Sequence, residues 1–123
     1  MNVSKRINME TSYSYINLRM NQDYPFFEIP ENHLTGILNL ILPYDIKMKY
    51  QFDFYDERIS PDDNDVLHTL EAYSIHQVSL TKNIGKTRIM CGLENIFDEN
   101  YQEEWGFPAS GINFTLGFET VLF

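Results

Sequence analysis

Residues 45–56, DIKMKYQFDFYD, decide the fold. Ile46, Met48, Tyr50, Phe52 and Phe54 fall on one side of an extended chain, and Lys47, Lys49, Gln51, Asp53 and Tyr55 on the other, because successive side chains of a strand point to opposite faces. One face is apolar and the other is largely ionic. The same period of two recurs outward in both directions. Ile112, Phe114, Leu116, Phe118 and Leu122 alternate with Asn113, Thr115, Gly117 and Glu119. Leu34, Leu38, Leu40 and Leu42 are in phase within 34–42, and Ile89, Cys91 and Leu93 within 87–97. Residues 1–18 read as one strand, with Val3, Ile7, Met9, Tyr13 and Tyr15 against Ser4, Arg6, Asn8, Glu10 and Ser12, and Lys5 breaking the apolar side. Across 72–84 the phase slips between Ile75 and Val78, which predicts a bulge at His76 or Gln77. No segment sustains the i, i+3, i+4, i+7 stripe of an amphipathic helix. The pattern predicts an all-β chain of about six antiparallel up-and-down strands.

Composition bounds what such a chain can be. With 123 residues, 43% hydrophobic and 15% aromatic, it is one domain or part of one and not a disordered tail. Nine Lys and Arg against eighteen Asp and Glu give a net charge of −9, which argues against a nucleic-acid partner. The single cysteine, Cys91, excludes an intrachain disulfide, and no Cys/His spacing suits zinc. The first residues lack the continuous apolar stretch of a secretory leader. The longest apolar run, 37–43, is interrupted by Asn39 and falls well short of the roughly 18 residues of a membrane-spanning helix. A membrane β-strand, however, needs only about 9 to 11 residues.

The connections carry further information. Pro43-Tyr44-Asp45 and Asn83-Ile84-Gly85-Lys86 are tight turns, whereas 19–33, 57–70 and 98–109 are long and polar, and the two kinds alternate. In an up-and-down sheet every long loop then lies at one end and every short turn at the other, as in outer-membrane barrels. A soluble sandwich would show the same alternation. The membrane reading gains from large apolar residues at nearly every site of the apolar faces. It gains also from charge on the polar ones, with Arg6, Glu10, Lys47, Lys49, Asp53, Arg88, Glu94 and Glu119. Tyr13, Tyr15, Tyr44 and Tyr73 lie toward strand ends, where an aromatic girdle is expected. Six strands cannot close alone, since the smallest single-chain membrane barrels have about eight, so the chain is expected to be part of a larger barrel.

Glu94-Asn95-Ile96-Phe97-Asp98 followed by Tyr101 resembles the "ENLFD…Y" signature near the C-terminus of TonB-dependent outer-membrane receptors. Gly106-Phe107-Pro108-Ala109, then Gly111, an alternating last strand and a terminal aromatic, Phe123, is similar to the end of the same family. Upstream, Ile29-Pro30-Glu31-Asn32-His33 resembles the family's P-x-H element, and Tyr73 opens a strand where a tyrosine is usual. Two features depart from it: Gly111 is followed by Ile112 rather than Arg, and Phe123 is out of phase with residues 112–118. The resemblance implies that residues 1–123 are a C-terminal barrel segment, without the plug domain, the TonB-contacting N-terminal part or most of the roughly 22 strands. It implies an outer-membrane location and a share in TonB-dependent uptake of a scarce ligand such as a ferric siderophore, cobalamin or a glycan. The implied partners are outer-membrane lipid and the rest of the receptor, and TonB only through the missing part. A soluble β-rich binding domain and a subunit of an oligomeric barrel are the alternatives.

No motif for catalysis or phosphate binding is present, and no enzyme, cofactor or metal is expected. Asp62-Asp63-Asn64-Asp65 lacks the spaced ligands and glycine of a calcium loop and reads as a solvated acidic tip, and His33, His68 and His76 are scattered. Tyr24, Phe26 and Phe27 in one long loop, and Tyr101, Trp105 and Phe107 in another, are the candidate ligand mouth; the same residues would equally serve to anchor loops to a rim. Phe52, Phe114 and Leu116 are expected to face lipid, and Lys49, Asp53 and Glu119 the lumen. Loops near Tyr24, Asp63 and Glu103 are then extracellular, and the turns at Tyr44 and Gly85 periplasmic.

Overall fold

The computed structural model describes residues 2–4, 6–16 and 28–122; Met1, Lys5, Phe123 and the 17–27 segment with Tyr24, Phe26 and Phe27 lie outside the described residues. Alternation of apolar and polar side chains produces strands almost throughout. They are β1 (Asn2–Ser4), β2 (Ile7–Tyr15), β3 (Asn32–Leu42), β4 (Ile46–Tyr55), β5 (Arg58–Pro61), β6 (Leu67–Leu70), β7 (Tyr73–Ile84), β8 (Thr87–Glu94), β9 (Gln102–Glu104), β10 (Phe107–Pro108) and β11 (Asn113–Thr120). One sheet takes the order β1-β2-β3-β4-β7-β8-β11, antiparallel at every step, so the long strands form a meander. The 3-10 turn Pro43–Asp45 and the Gly85-Lys86 turn close its hairpins at one end. Gly85, at φ 58, takes the left-handed backbone that glycine adopts without a Cβ clash.

At the other end two of the long connections fold into hairpins of their own, β5–β6 and β9–β10. Their strands are four residues or fewer, too short to leave a periodic trace among polar neighbours, and the sequence reads them as loops. The first segment also differs from expectation. The described residues between 2 and 16 form two strands and not one: β1 pairs antiparallel with the start of β2, and the Arg6 carbonyl accepts the Ile41 N–H at 2.8 Å.

The bulge expected at His76 or Gln77 is absent. The β4–β7 ladder runs unbroken from Lys47↔Thr81 to Tyr55↔Tyr73. Two residues are instead exchanged between faces. Ile75 sits on the polar face opposite Asp53, and His76 on the apolar face opposite Phe52. There Nδ1 of His76 lies 2.6 Å from the Tyr50 hydroxyl, and its ring meets Phe97 edge-on at 4.8 Å, so a polar group on an apolar surface keeps a partner.

The register sorts the sheet into two faces. Tyr50↔Val78, Val78↔Leu93 and Leu93↔Phe114 put one apolar row across four strands, and Met48, Leu80, Cys91 and Leu116 form the next. Phe52, over Gly36, shares this face. The opposite face carries Glu10, Lys47, Lys49, Asp53, Arg88, Glu94 and Glu119. A trough lined by Asn8, Asn39, Lys49, Ser79 and Arg88, from five strands, shows that the sheet curls around its polar side. The apolar face is therefore convex, and among the described residues no second layer covers it. Phe114, Leu116 and Phe118 are 61%, 68% and 80% exposed. Leu70 and Tyr73 are the only buried hydrophobic residues among those described. The chain exposes 9438 Å², against about 6,900 Å² for a compact monomer of 14.5 kDa. A sheet with this surface has no core of its own.

One girdle tyrosine is misassigned by the sequence. Tyr13, Tyr15 and Tyr44 are exposed, but Tyr73 turns to the concave face, pairs with Tyr55 and is 6% exposed.

Candidate functional site

The loop end of the concave face is built by register. His33, Tyr55 and Tyr73 are direct partners on β3, β4 and β7, and neighbouring strands lie about 4.8 Å apart, which is the spacing at which flat rings stack. His33 and Tyr55 stack at 4.4 Å, Tyr55 and Tyr73 at 4.9 Å, and Tyr101 extends the row from the β8–β9 connection at 4.2 Å from Tyr73. Below the row Asp53 accepts hydrogen bonds from Thr35 at 2.7 Å and Gln51 at 2.8 Å, and lies 3.4 Å from His33 Nε2.

Loop residues lock onto this row. The Arg58 guanidinium lies 4.8 Å from the centre of the Tyr73 ring, and Nη2 donates to the Gln102 carbonyl at 2.8 Å, so a buried cation is held by a ring face and a carbonyl. Its Nε has no hydrogen-bond partner among the described residues. Ser60, fully buried, donates to Glu28 at 3.1 Å and accepts from the Trp105 N–H at 2.9 Å, tying β5 to the chain before β3 and to the β9–β10 turn. Trp105 in turn stacks on His68 at 3.9 Å.

Beside the aromatic row opens a hollow of about 540 Å³ lined by Asp53, Tyr55, Tyr73, Glu94, Asn95, Tyr101 and Glu103. Burial pushes the Tyr101 hydroxyl above its ordinary pKa, and the Glu103 and Glu94 carboxylates push it the same way. The lining can accept hydrogen bonds from a cationic or hydroxyl-rich ligand. A second hollow brings Tyr101 and Trp105 together, with Glu71 and Gln102. Phe107 lines neither and is 66% exposed. His33, Tyr55, Arg58, His68 and Tyr73 belong to the site although no local motif marks them: strand register aligns His33, Tyr55 and Tyr73, and the β5–β6 hairpin brings in Arg58 and His68.

The Glu94–Asp98 motif sits at the root of the β8–β11 connection. Asn95 is 4% exposed and left-handed at φ 50, a conformation asparagine tolerates. Its Oδ1 accepts the Glu99 N–H at 2.7 Å, and Nδ2 donates to the Glu99 carbonyl at 2.9 Å and to Ser110 at 3.4 Å. Asp98, also left-handed, accepts the Ile112 N–H at 3.3 Å; a Cβ on Gly111 would lie 2.5 Å from its Oδ1. The motif ties the two ends of a long loop together. Phe97 is 68% exposed, and Ile96 N–H bonds the His76 carbonyl.

In the acidic tip, Asp63, Asn64 and Asp65 are exposed, whereas Asp62 organises the turn. Its Oδ1 accepts the Asn64 and Val66 N–H groups at 2.8 and 3.0 Å, and its Oδ2 lies 3.0 Å from His68 Nε2. The His68 bond, followed by these backbone bonds, holds the Asp62 carboxyl below its usual pKa of 3.8. A depressed folded pKa means that the stabilisation is present above about pH 4 and is lost as pH falls through the folded value. Amide exchange at Asn64 and Val66 is expected to be slow at pH 6 and to accelerate below pH 4 beyond the intrinsic trend; Asp62→Asn should remove this pH dependence. Among the described residues no three His, Cys, Asp or Glu side chains are grouped to hold a metal ion, and no helix is long and apolar enough to cross a membrane. The chain matches no protein-family description and no curated protein.

Proposed function

We propose that the chain forms part of the wall of an outer-membrane β-barrel, as the C-terminal segment of a TonB-dependent receptor that takes up a scarce ligand. The carrying observation is the single curved sheet, apolar on its uncovered convex side and ionic on its concave side. In water such a surface is an aggregation hazard; against lipid it is the arrangement that lowers the free energy. The convex face contacts outer-membrane lipid, and the concave face lines the lumen. The open edges of the sheet, at β1 with the uncovered part of β2 on one side and at β11 on the other, pair with the rest of the barrel, since unpaired strand edges are not tolerated in hydrocarbon. The family resemblance of Glu94–Asp98 and Tyr101 supports the receptor assignment. In this reading the chain supplies wall and mouth and no catalysis, and contact with TonB and the plug belongs to other parts of the receptor.

The test is sidedness. In the full-length protein on whole cells, with Cys91 replaced by serine, Asp63→Cys should react with an impermeant thiol reagent and Lys86→Cys should not. Labelling of Lys86→Cys alone would invert the orientation, and equal labelling of both in a soluble fraction would remove the membrane assignment.

A further inference from the structure

Charge is segregated along the strands. Of the described Lys and Arg residues, all but Arg58 lie in the turn-end half of the sheet, whereas Asp53, Glu94 and Glu103 line the loop-end hollow. Arg6, Lys47, Lys49 and Arg88 line one concave trough of about 570 Å³, and among the described residues no carboxylate lines it. Carboxylates touch two of its lining residues: Glu119 lies 3.3 Å from Arg88, and Glu10 accepts a hydrogen bond from Asn8 at 2.8 Å. Neither Lys47 nor Lys49 has a carboxylate within 4.0 Å among the described residues. They are two positions apart on one face of β4, about 7 Å along the strand, so their ammonium groups repel one another. Arg88 lies two strands away across β7 and two register positions nearer the turn than Lys47, about 12 Å off along the backbone. The trough also presents the hydroxyls of Ser79 and Thr81 on β7 between them and the amide of Asn39 on β3 beside Lys49, all of which can donate to oxygen anions.

A concave surface lined by one sign of charge focuses its field on a counter-ion, and the volume is that of a small-molecule site. We infer that this trough binds a small multivalent anion, one carrying two or more phosphate or carboxylate groups spaced to reach Lys47, Lys49 and Arg88 together. The site is separate from the loop-end mouth, and it stands whether the convex face meets lipid or not.

The test is calorimetric titration of the full chain with sodium tripolyphosphate and with citrate, in detergent or in buffer, whichever disperses it. Saturable binding is expected for at least one of the two. The Lys47→Gln/Lys49→Gln double variant should weaken it at least about tenfold, as should raising salt from 50 to 500 mM, while Lys47→Arg/Lys49→Arg keeps it. Because these side chains are exposed, the fold should survive, and Trp105 fluorescence at the far end of the sheet reports that it has. No binding of either anion, or equal binding by the double Gln variant, overturns the inference. Binding of a hexaglutamate peptide but of neither small anion also overturns it, in favour of an acidic protein segment. Failure of the membrane assignment appears separately, as detergent-independent dispersal.

Discussion

Phe114→Arg is expected to cost about 2 to 4 kcal/mol of unfolding free energy in lipid vesicles, whereas Gln51→Arg should change it by no more than about 0.5 kcal/mol. Phe114 is level with Tyr50, midway along β4, through the row Phe114, Leu93, Val78, Tyr50. An arginine there would meet the centre of the hydrocarbon with no partner. Gln51 lies on the concave face, where it bonds Asp53, and a guanidinium there would find a carboxylate and water. The contrast is sharp because the two faces of one sheet are compared. In water, replacing a residue that is 61% exposed would be close to neutral. Reversible unfolding in vesicles measures both variants, and equal costs would show that the faces are wrongly assigned.

Asn95→Leu is the second large effect. It removes the acceptor of the Glu99 N–H and the donor to the Glu99 carbonyl, two part-buried hydrogen bonds worth about 1 kcal/mol each, and it places a branched side chain at φ 50 for about 1 kcal/mol more. A total of about 3 kcal/mol is expected, with Asn95→Asp intermediate because it keeps the acceptor. The loss should appear as faster amide exchange from Glu99 to Ile112, where the loop is no longer tied at its root. A change below about 0.5 kcal/mol would mean that the motif does not hold this loop.

The strands that sequence reveals are those with one uniformly apolar side, β4 and β11 above all. In β7 the exchange of Ile75 and His76 between faces imitates a slipped phase, because period-two reading cannot tell two exchanged residues from an inserted one. Tyr73 was legible and misread. It shares parity with Gln77 and Ser79 and opposes Val78 and Leu80, which puts it on the polar face whatever its position at a strand end. The mouth was only partly visible. Tyr101 and Trp105 stand out in a polar loop, but the stack of His33, Tyr55 and Tyr73 exists only because three strands distant in sequence share one register. The basic trough is likewise spread over β2, β3, β4, β7 and β8, and no local motif marks it.

The proposed membrane placement stands or falls on whether the convex face requires lipid. Far-UV circular dichroism and sedimentation of residues 1–123, with and without a mild detergent, test it most directly. Aggregation is expected in buffer and a β-rich, dispersed species in detergent only, containing more than one chain because each chain leaves two strand edges open. A monodisperse, detergent-free monomer with a cooperative melt would contradict it.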